Sequence, residues 1–266
     1  VISIRSDQVR ALSYQAGMGQ WSPIEQISRH KYTGNLVRLT QKYGSVTVTP
    51  KHSVYNFEGA LCDADTNPVL LPMRKINYAD RQIDRVKIKL APNQSRWLEG
   101  AGLCAFLRVC AAYVSEGCAS IHKIHGNYTI TFSNTNKQWL ESIKQDMIFL
   151  FPELRGYYTE NKTSVTRHKT CYNLCFSGKS TYQLLTNYCG KSSALVKMPE
   201  FIFQLNDHLK GVFLKVLVEG DGGITRRKKC NYLRYTTTSI ELATQFCFLL
   251  SILKKDYVVQ ESTTDN

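Results

Sequence analysis

The sequence predicts an α+β protein, with an all-β N-terminal region followed by a pseudo-twofold α+β domain. Three observations carry this. Residues 1–90 hold short β-rich runs broken by turn residues, with no long helical pattern. From Trp97 an order of helix, hairpin, helix and strand runs once and then restarts, at an offset of about 105 residues. Each leading helix ends on an acid followed by glycine, Glu116-Gly117 and Asp221-Gly222.

The elements follow from local pattern. Leu36 to Thr40 and Ser45 to Thr49 read as strands, punctuated by Thr33-Gly34-Asn35 and Tyr43-Gly44. Ile83 to Leu90 alternates apolar and charged residues and reads as another strand. Pro92 to Ser95 is expected to be a linker with a helix start. Trp97 to Ser115 is rich in Leu, Ala and Cys without proline, long enough for about five helical turns. Cys118 to Ile124 and Tyr128 to Ser133 form a hairpin around His125-Gly126-Asn127. Asn136 to Leu150 is an amphipathic helix, Tyr157 to Thr159 and Tyr172 to Phe176 are strands, and Ser180 to Tyr188 is a short helix. In the second copy Asn206 to Glu219 is the leading helix, Gly223 to Arg227 and Tyr232 to Thr236 the hairpin, and Ile240 to Lys254 the next helix. Tyr257-Val258-Val259 begins a further strand, and the copy stops before its last strand and helix.

Composition narrows the function. The 266 residues carry 34 Lys+Arg against 21 Asp+Glu, a formal net charge of +13. The charge is spread, with 13 basic against 7 acidic residues up to Ser95 and 21 against 14 after it. Such a balance points to a polyanionic partner, most simply nucleic acid, although a basic protein without one fits the same numbers. No apolar run approaches the roughly 18 residues of a membrane span, and no signal-peptide pattern opens the chain. Membrane insertion and secretion are not expected. Nine irregularly spaced cysteines do not read as a disulfide framework, so an intracellular, reducing compartment, cytoplasmic or nuclear, is expected.

The two acidic helix ends are unusual. A glycine after a helix is an ordinary left-handed stop, but a carboxylate there opposes the helix dipole by a few tenths to about 1 kcal/mol. A divalent cation would reverse that penalty, and paired carboxylates holding Mg²⁺ serve phosphodiester hydrolysis. Spacing alone also fits two unrelated surface acids. The surrounding residues, Val109-Cys110-Ala111-Ala112-Tyr113-Val114-Ser115-Glu116-Gly117 and Leu214-Lys215-Val216-Leu217-Val218-Glu219-Gly220-Asp221-Gly222, resemble the LAGLIDADG motif. Two copies in matched context resemble a double-motif, monomeric LAGLIDADG homing endonuclease over residues 97–266. The resemblance implies that Glu116 and Asp221 hold Mg²⁺, with Mn²⁺ substituting. It also implies that small residues such as Ala111, Ser115 and Gly220 let the helices approach. Val216 stands where the family often has glycine, and Glu219 sits one residue early for the metal. Lys197-Met198-Pro199 resembles the Lys-x-Pro block of intein-borne members, implying an active-site role for Lys197.

In that family the strands after each motif form four-stranded saddles on double-stranded DNA. This places Ser120, His122, Lys123, Tyr128 and Thr131 of the first hairpin, and Arg226, Arg227, Lys228, Lys229, Arg234 and Tyr235 of the second, among the DNA contacts. Arg167 and Lys169 are expected to extend the surface.

Thr49-Pro50-Lys51-His52 resembles the Thr-x-x-His block of intein splicing (Hint) domains, implying that His52 polarises a scissile amide with help from Thr49. The domains are therefore expected as a partial splicing domain over residues 1–95 and an endonuclease domain over 96–266, with repeats at about 97–190 and 206–266. The chain begins Val1-Ile2-Ser3 and ends Asp265-Asn266 without the terminal groups of splicing, so it is not expected to splice as written. The expected function is a site-specific double-strand break in a long DNA target, serving intein homing. The alternatives are a DNA-binding remnant without cleavage, a fragment whose chemistry is peptide-bond rearrangement, and, as a minor option, an RNA-splicing maturase.

Overall fold

Short β-rich runs joined by tight turns give the N-terminal part of the computed structural model its strands. The structure describes residues 2–3, 10–24, 26–78, 82–91, 94–121, 126–161, 170–227, 230–260 and 262. The chain divides into two units, residues 1–80 with 247–266, and residues 81–246.

The first unit holds β1 (Ile2–Ser3), β2 (Arg10–Gln15), β3 (Met18–Pro23), β4 (Gln26–Ile27), β5 (Val37–Gln41), β6 (Gly44–Val48), β7 (Ser53–Tyr55), β8 (Leu61–Asp63) and β9 (Asn77–Tyr78). Hairpins β2–β3, β5–β6 and β7–β8 are antiparallel, while β9 adds to β3 in parallel. The expected strand at Tyr257-Val258-Val259 is not formed. Instead this stretch docks on its own unit: Val259 N–H donates to the Lys42 carbonyl at 3.2 Å, and Arg74 pairs with Asp256 and lies 4.4 Å over the Tyr43 ring.

The second unit opens with β10 (Arg85–Ala91) and β11 (Gln94–Glu99), an antiparallel hairpin. Residues 94–99 are thus a strand and not a linker leading into a helix. Leu98 lies opposite Val86, and both are buried. Gly100, at φ +51°, then supplies the left-handed turn from strand to helix that a residue with a Cβ resists.

The unit continues with α1 (Gly100–Glu116), β12 (Gly117–Ile121), β13 (Tyr128–Asn134), α2 (Lys137–Leu150), β14 (Gly156–Asn161), β15 (Cys171–Ser177) and α3 (Lys179–Cys189). Its second copy holds α4 (Asp207–Asp221), β16 (Gly222–Arg227), β17 (Cys230–Tyr235) and α5 (Ile240–Ile252), whose last turns belong to the first unit. From Leu103 to Val114 α1 is buried almost all round, as a helix enclosed by α2, α3 and α4 must be.

Strands β12-β13-β15-β14 form one antiparallel sheet. Period-two alternation buries Ala119, Ile130, Phe132, Leu174 and Phe176 on one face. Ser120, Thr129, Thr131, Ser133, Asn173 and Thr159 occupy the other. The second copy differs from the expected four-stranded saddle. Among the described residues β16 and β17 form a two-stranded sheet, and Ile224 and Leu233, in register with the buried pair Ala119 and Ile130, are exposed.

Helix α1 is tied to α2 by Arg108, which donates from Nε to Asp146 Oδ2 at 2.7 Å and from Nη2 to Oδ1 at 2.5 Å. Asp146 is buried, so Asp146→Ala strands a half-buried guanidinium. A loss of about 2 kcal/mol in urea denaturation is expected, with most of it recovered by adding Arg108→Met. No helix among the described residues is long and apolar enough to cross a membrane.

Candidate functional site

The two acid-glycine helix ends meet through helices α1 and α4. Ser115 and Gly220 form the closest approach: a Cβ on Gly220 would lie 2.2 Å from Ser115 Oγ, 2.6 Å from its Cβ and 3.2 Å from Glu116 Cγ. Ser115 turns its hydroxyl onto its own helix, bonding the Ala111 and Ala112 carbonyls at 3.1 and 3.3 Å. Val216 is accommodated in the core, and the close passage is at Gly220 instead.

The terminal glycines serve a different purpose from the expected left-handed stop. Gly117 and Gly222 have φ −89° and −80°, both extended. Glycine is needed there because a Cβ would lie 2.4 Å from the Tyr113 carbonyl oxygen or 2.3 Å from that of Val218. Each helix therefore passes straight into a strand with its acid as the last helical residue.

Burial, followed by the charge of Asp221, pushes the Glu116 carboxyl up to about 7, and Asn134 offsets part of this by donating from Nδ2 to Oε1 at 2.9 Å. Asp221 is also raised, by burial, though it is more open to solvent. Two carboxylates that repel in a half-buried place bind a cation more favourably than they bear each other. Tyr235 adds a third group. Its ring stacks on Phe246 (centroids 4.7 Å apart, 10° between planes), and its hydroxyl is buried with no hydrogen-bond partner among the described residues. Burial and the charges of Asp221 and Glu116 raise that phenol. Two neighbouring carboxylates are hard oxygen donors and fit Mg²⁺ or Mn²⁺ in chemistry, although no cluster of three or more His, Cys, Asp or Glu occurs among the described residues.

The repeat extends to hydrogen bonds. Asn134 Oδ1 accepts from Asn136 N–H, and Asn136 Oδ1 caps α2 through Trp139 N–H. In the second copy Thr237 Oγ1 accepts from Ser239 N–H, and Ser239 Oγ caps α5 through Leu242 N–H. The strand register agrees, since Phe132 lies opposite Gly117 as Tyr235 lies opposite Gly222.

Ser120 and Thr131 share the open face of the four-stranded sheet. Tyr128 does not: it lies on the face of Ile130 and Phe132, two and four residues on, and packs edge-on against Tyr182 of α3 at 5.0 Å. Tyr235 is half-buried with its ring against Phe246, while Arg234 is exposed. Lys197 sits 4.0 Å from the Glu241 carboxylate; its neighbour Met198 is clamped by Gln245, which accepts from the Met198 N–H at 2.7 Å. Among the described residues no hydrogen bond or ion pair joins Lys197 to Glu116 or Asp221. Glu219 pairs with Lys215 at 3.9 Å along α4. In the first unit His52 N–H donates to the Thr49 carbonyl at 3.0 Å in the turn after β6, with the His52 side chain exposed. His122, Lys123, Arg167, Lys169, Lys228 and Lys229 lie outside the described residues, as do the side chains of Arg226 and Arg227. Asn134 was missed in the sequence; the signal was the hairpin register, which carries the end of β13 back toward Glu116.

No family model matches the chain. Over 144 residues it is 29% identical to a DNA polymerase of Thermococcus aggregans, covering 53% of this chain and 7% of that protein. Over 260 residues it is 24% identical to the DNA-directed RNA polymerase subunit Rpo1C of Methanocaldococcus jannaschii, covering 87% of this chain and 28% of that one. The chain thus spans less than a third of the length of these curated relatives. Among solved structures it is similar to I-DmoI in complex with DNA and Mn (TM-score 0.32, 20% identity, 46% of this chain and 63% of that chain). It is also similar to the homing endonuclease I-WcaI bound to its DNA recognition sequence (TM-score 0.34, 14% identity, 48% of this chain and 54% of that chain).

Proposed function

We propose that the chain is a LAGLIDADG-type endonuclease that hydrolyses DNA phosphodiester bonds with divalent-metal assistance, carried within an intein. One observation carries the reading: two helix-terminal carboxylates, from equivalent places in an internal repeat, meet where α1 and α4 cross at Gly220. Glu116 and Asp221 would hold Mg²⁺ or Mn²⁺, which supplies Lewis-acid stabilisation of the phosphate and a more acidic water. Asn134 keeps Glu116 oriented for that role. Lys197, loosely paired with Glu241, is the cation offered to the scissile phosphate.

The open face of the four-stranded sheet presents Ser120, Thr131 and Asn173, groups able to read base edges, and Arg234 with the Arg226–Lys229 run supplies charge for the backbone. The internal dyad favours a monomer cutting both strands. Partial matches to two different polymerases support a segment carried as an insert in a host protein. In the N-terminal domain Thr49 and His52 are assigned to splicing-type chemistry.

The test is cleavage of a host-gene DNA that lacks the inserted segment, with Mg²⁺ and with EDTA. Linear product that depends on the cation is expected. The rival reading, a DNA-binding remnant, would give tight, salt-sensitive binding and no product with either Mg²⁺ or Mn²⁺.

A further inference from the structure

We propose that Tyr235 is a positioning residue of the carboxylate site, its hydroxyl donating a hydrogen bond to the water or phosphate oxygen that lies between Glu116 and Asp221. The inference rests on the endonuclease reading and deepens it.

The internal repeat supplies a control. Tyr235 and Phe132 hold the same place in their hairpins, opposite Gly222 and Gly117. Both rings pack on aromatic neighbours, Tyr235 on Phe246 and Phe132 on Phe176. Packing therefore asks for the ring and not for the oxygen, because phenylalanine fills this role in the first copy. The second copy adds one hydroxyl, and it is buried with no partner among the described residues. Leaving a donor unpaired in such a place is unfavourable, so the group answers to something that occupies the site. Its surroundings name the chemistry. Asp221 precedes the glycine that Tyr235 faces, and Glu116 lies against Gly220 of the same helix end. An oxygen shared between a neutral donor and two carboxylates is a water or an oxyanion ligand, not an apolar group.

The two halves of the site are thereby unequal. Asn134 serves Glu116 by a direct bond at 2.9 Å, whereas Tyr235 acts on what the carboxylates hold. Losing one such hydrogen bond corresponds to about a tenfold change in rate.

Tyr235→Phe tests this, since phenylalanine already stands at the matching position. The thermal midpoint of the metal-free variant is expected to be unchanged or raised. Single-turnover cleavage is expected to fall about tenfold, with nicked DNA accumulating, while the dissociation constant for target DNA stays within twofold. An independent readout is the Raman doublet of tyrosine. The difference between wild type and variant should contain a phenol that shifts toward the donor form as Mn²⁺ is added, without DNA. A wild-type cleavage rate in Tyr235→Phe, or a tyrosine difference spectrum indifferent to Mn²⁺, overturns the assignment. Failure of the wild type itself to cut any candidate target would overturn the endonuclease reading instead.

Discussion

Glu116→Gln is expected to make the metal-free protein more stable and to reduce divalent-dependent cleavage at least a hundredfold. The opposite signs share one cause. The Glu116 carboxyl is held at about 7 in the fold against an ordinary value of 4.5, chiefly by burial and next by the charge of Asp221. A carboxyl raised in this way favours the fold fully below about 4.5, in its protonated form, and that contribution is lost as pH rises through about 7. At pH 8 the ionised group therefore opposes folding, by about 1–2 kcal/mol once solvent screening is allowed for. The amide removes that charge and still accepts from Asn134. Thermal melts in EDTA should place the variant a few degrees above wild type at pH 8, with the gap closing toward pH 5. Adding Mn²⁺ should raise the wild-type midpoint and leave the variant nearly unmoved, because on the proposed reading only the wild type retains both anionic ligands. Cleavage by Glu116→Gln at the wild-type rate would remove Glu116 from the metal site.

Gly220→Ala and Gly211→Ala, the same change on the same helix, are expected to move stability in opposite directions. At Gly211 an added Cβ meets nothing within 4 Å, so the gain in helix propensity appears alone, about 0.5–1 kcal/mol of stabilisation. At Gly220 the new atom would lie 2.6 Å from Ser115 Cβ, which no rotation of the serine side chain can move. The helices have to part, and overpacking of this kind costs about 1–3 kcal/mol after the propensity gain. Parting them also separates Glu116 from Asp221, so cleavage should fall with stability. Urea denaturation of the two variants decides the matter, and Ser115→Gly in the Gly220→Ala background should recover most of the loss. Equal effects at Gly211 and Gly220 would show that the close passage is absent.

Much of this site was legible in the linear sequence because its signals are local. An acid before glycine at the end of an apolar run, repeated about 105 residues later, places both carboxylates at helix ends without any knowledge of contacts. The helix ends, the hairpins after them and the repeat followed from the same periodicities. Local signals misled where two elements had to be compared. Residues 94–99 carry no mark of a strand except their fit to residues 85–91, and Leu98 becomes a strand residue by meeting Val86. Tyr128 looks like a surface aromatic until the face it shares with Ile130 and Phe132 sets it against α3.

The sequence by itself determined the repeat, the two acids and the small residues that let their helices approach. The tertiary structure alone decided which side chains attend those acids. Asn134 reaches Glu116 because β13 returns antiparallel to β12, and the Tyr235 hydroxyl is buried with its ring stacked on Phe246. Register and helix crossing are relations between residues far apart in the chain, fixed by packing that no single segment encodes.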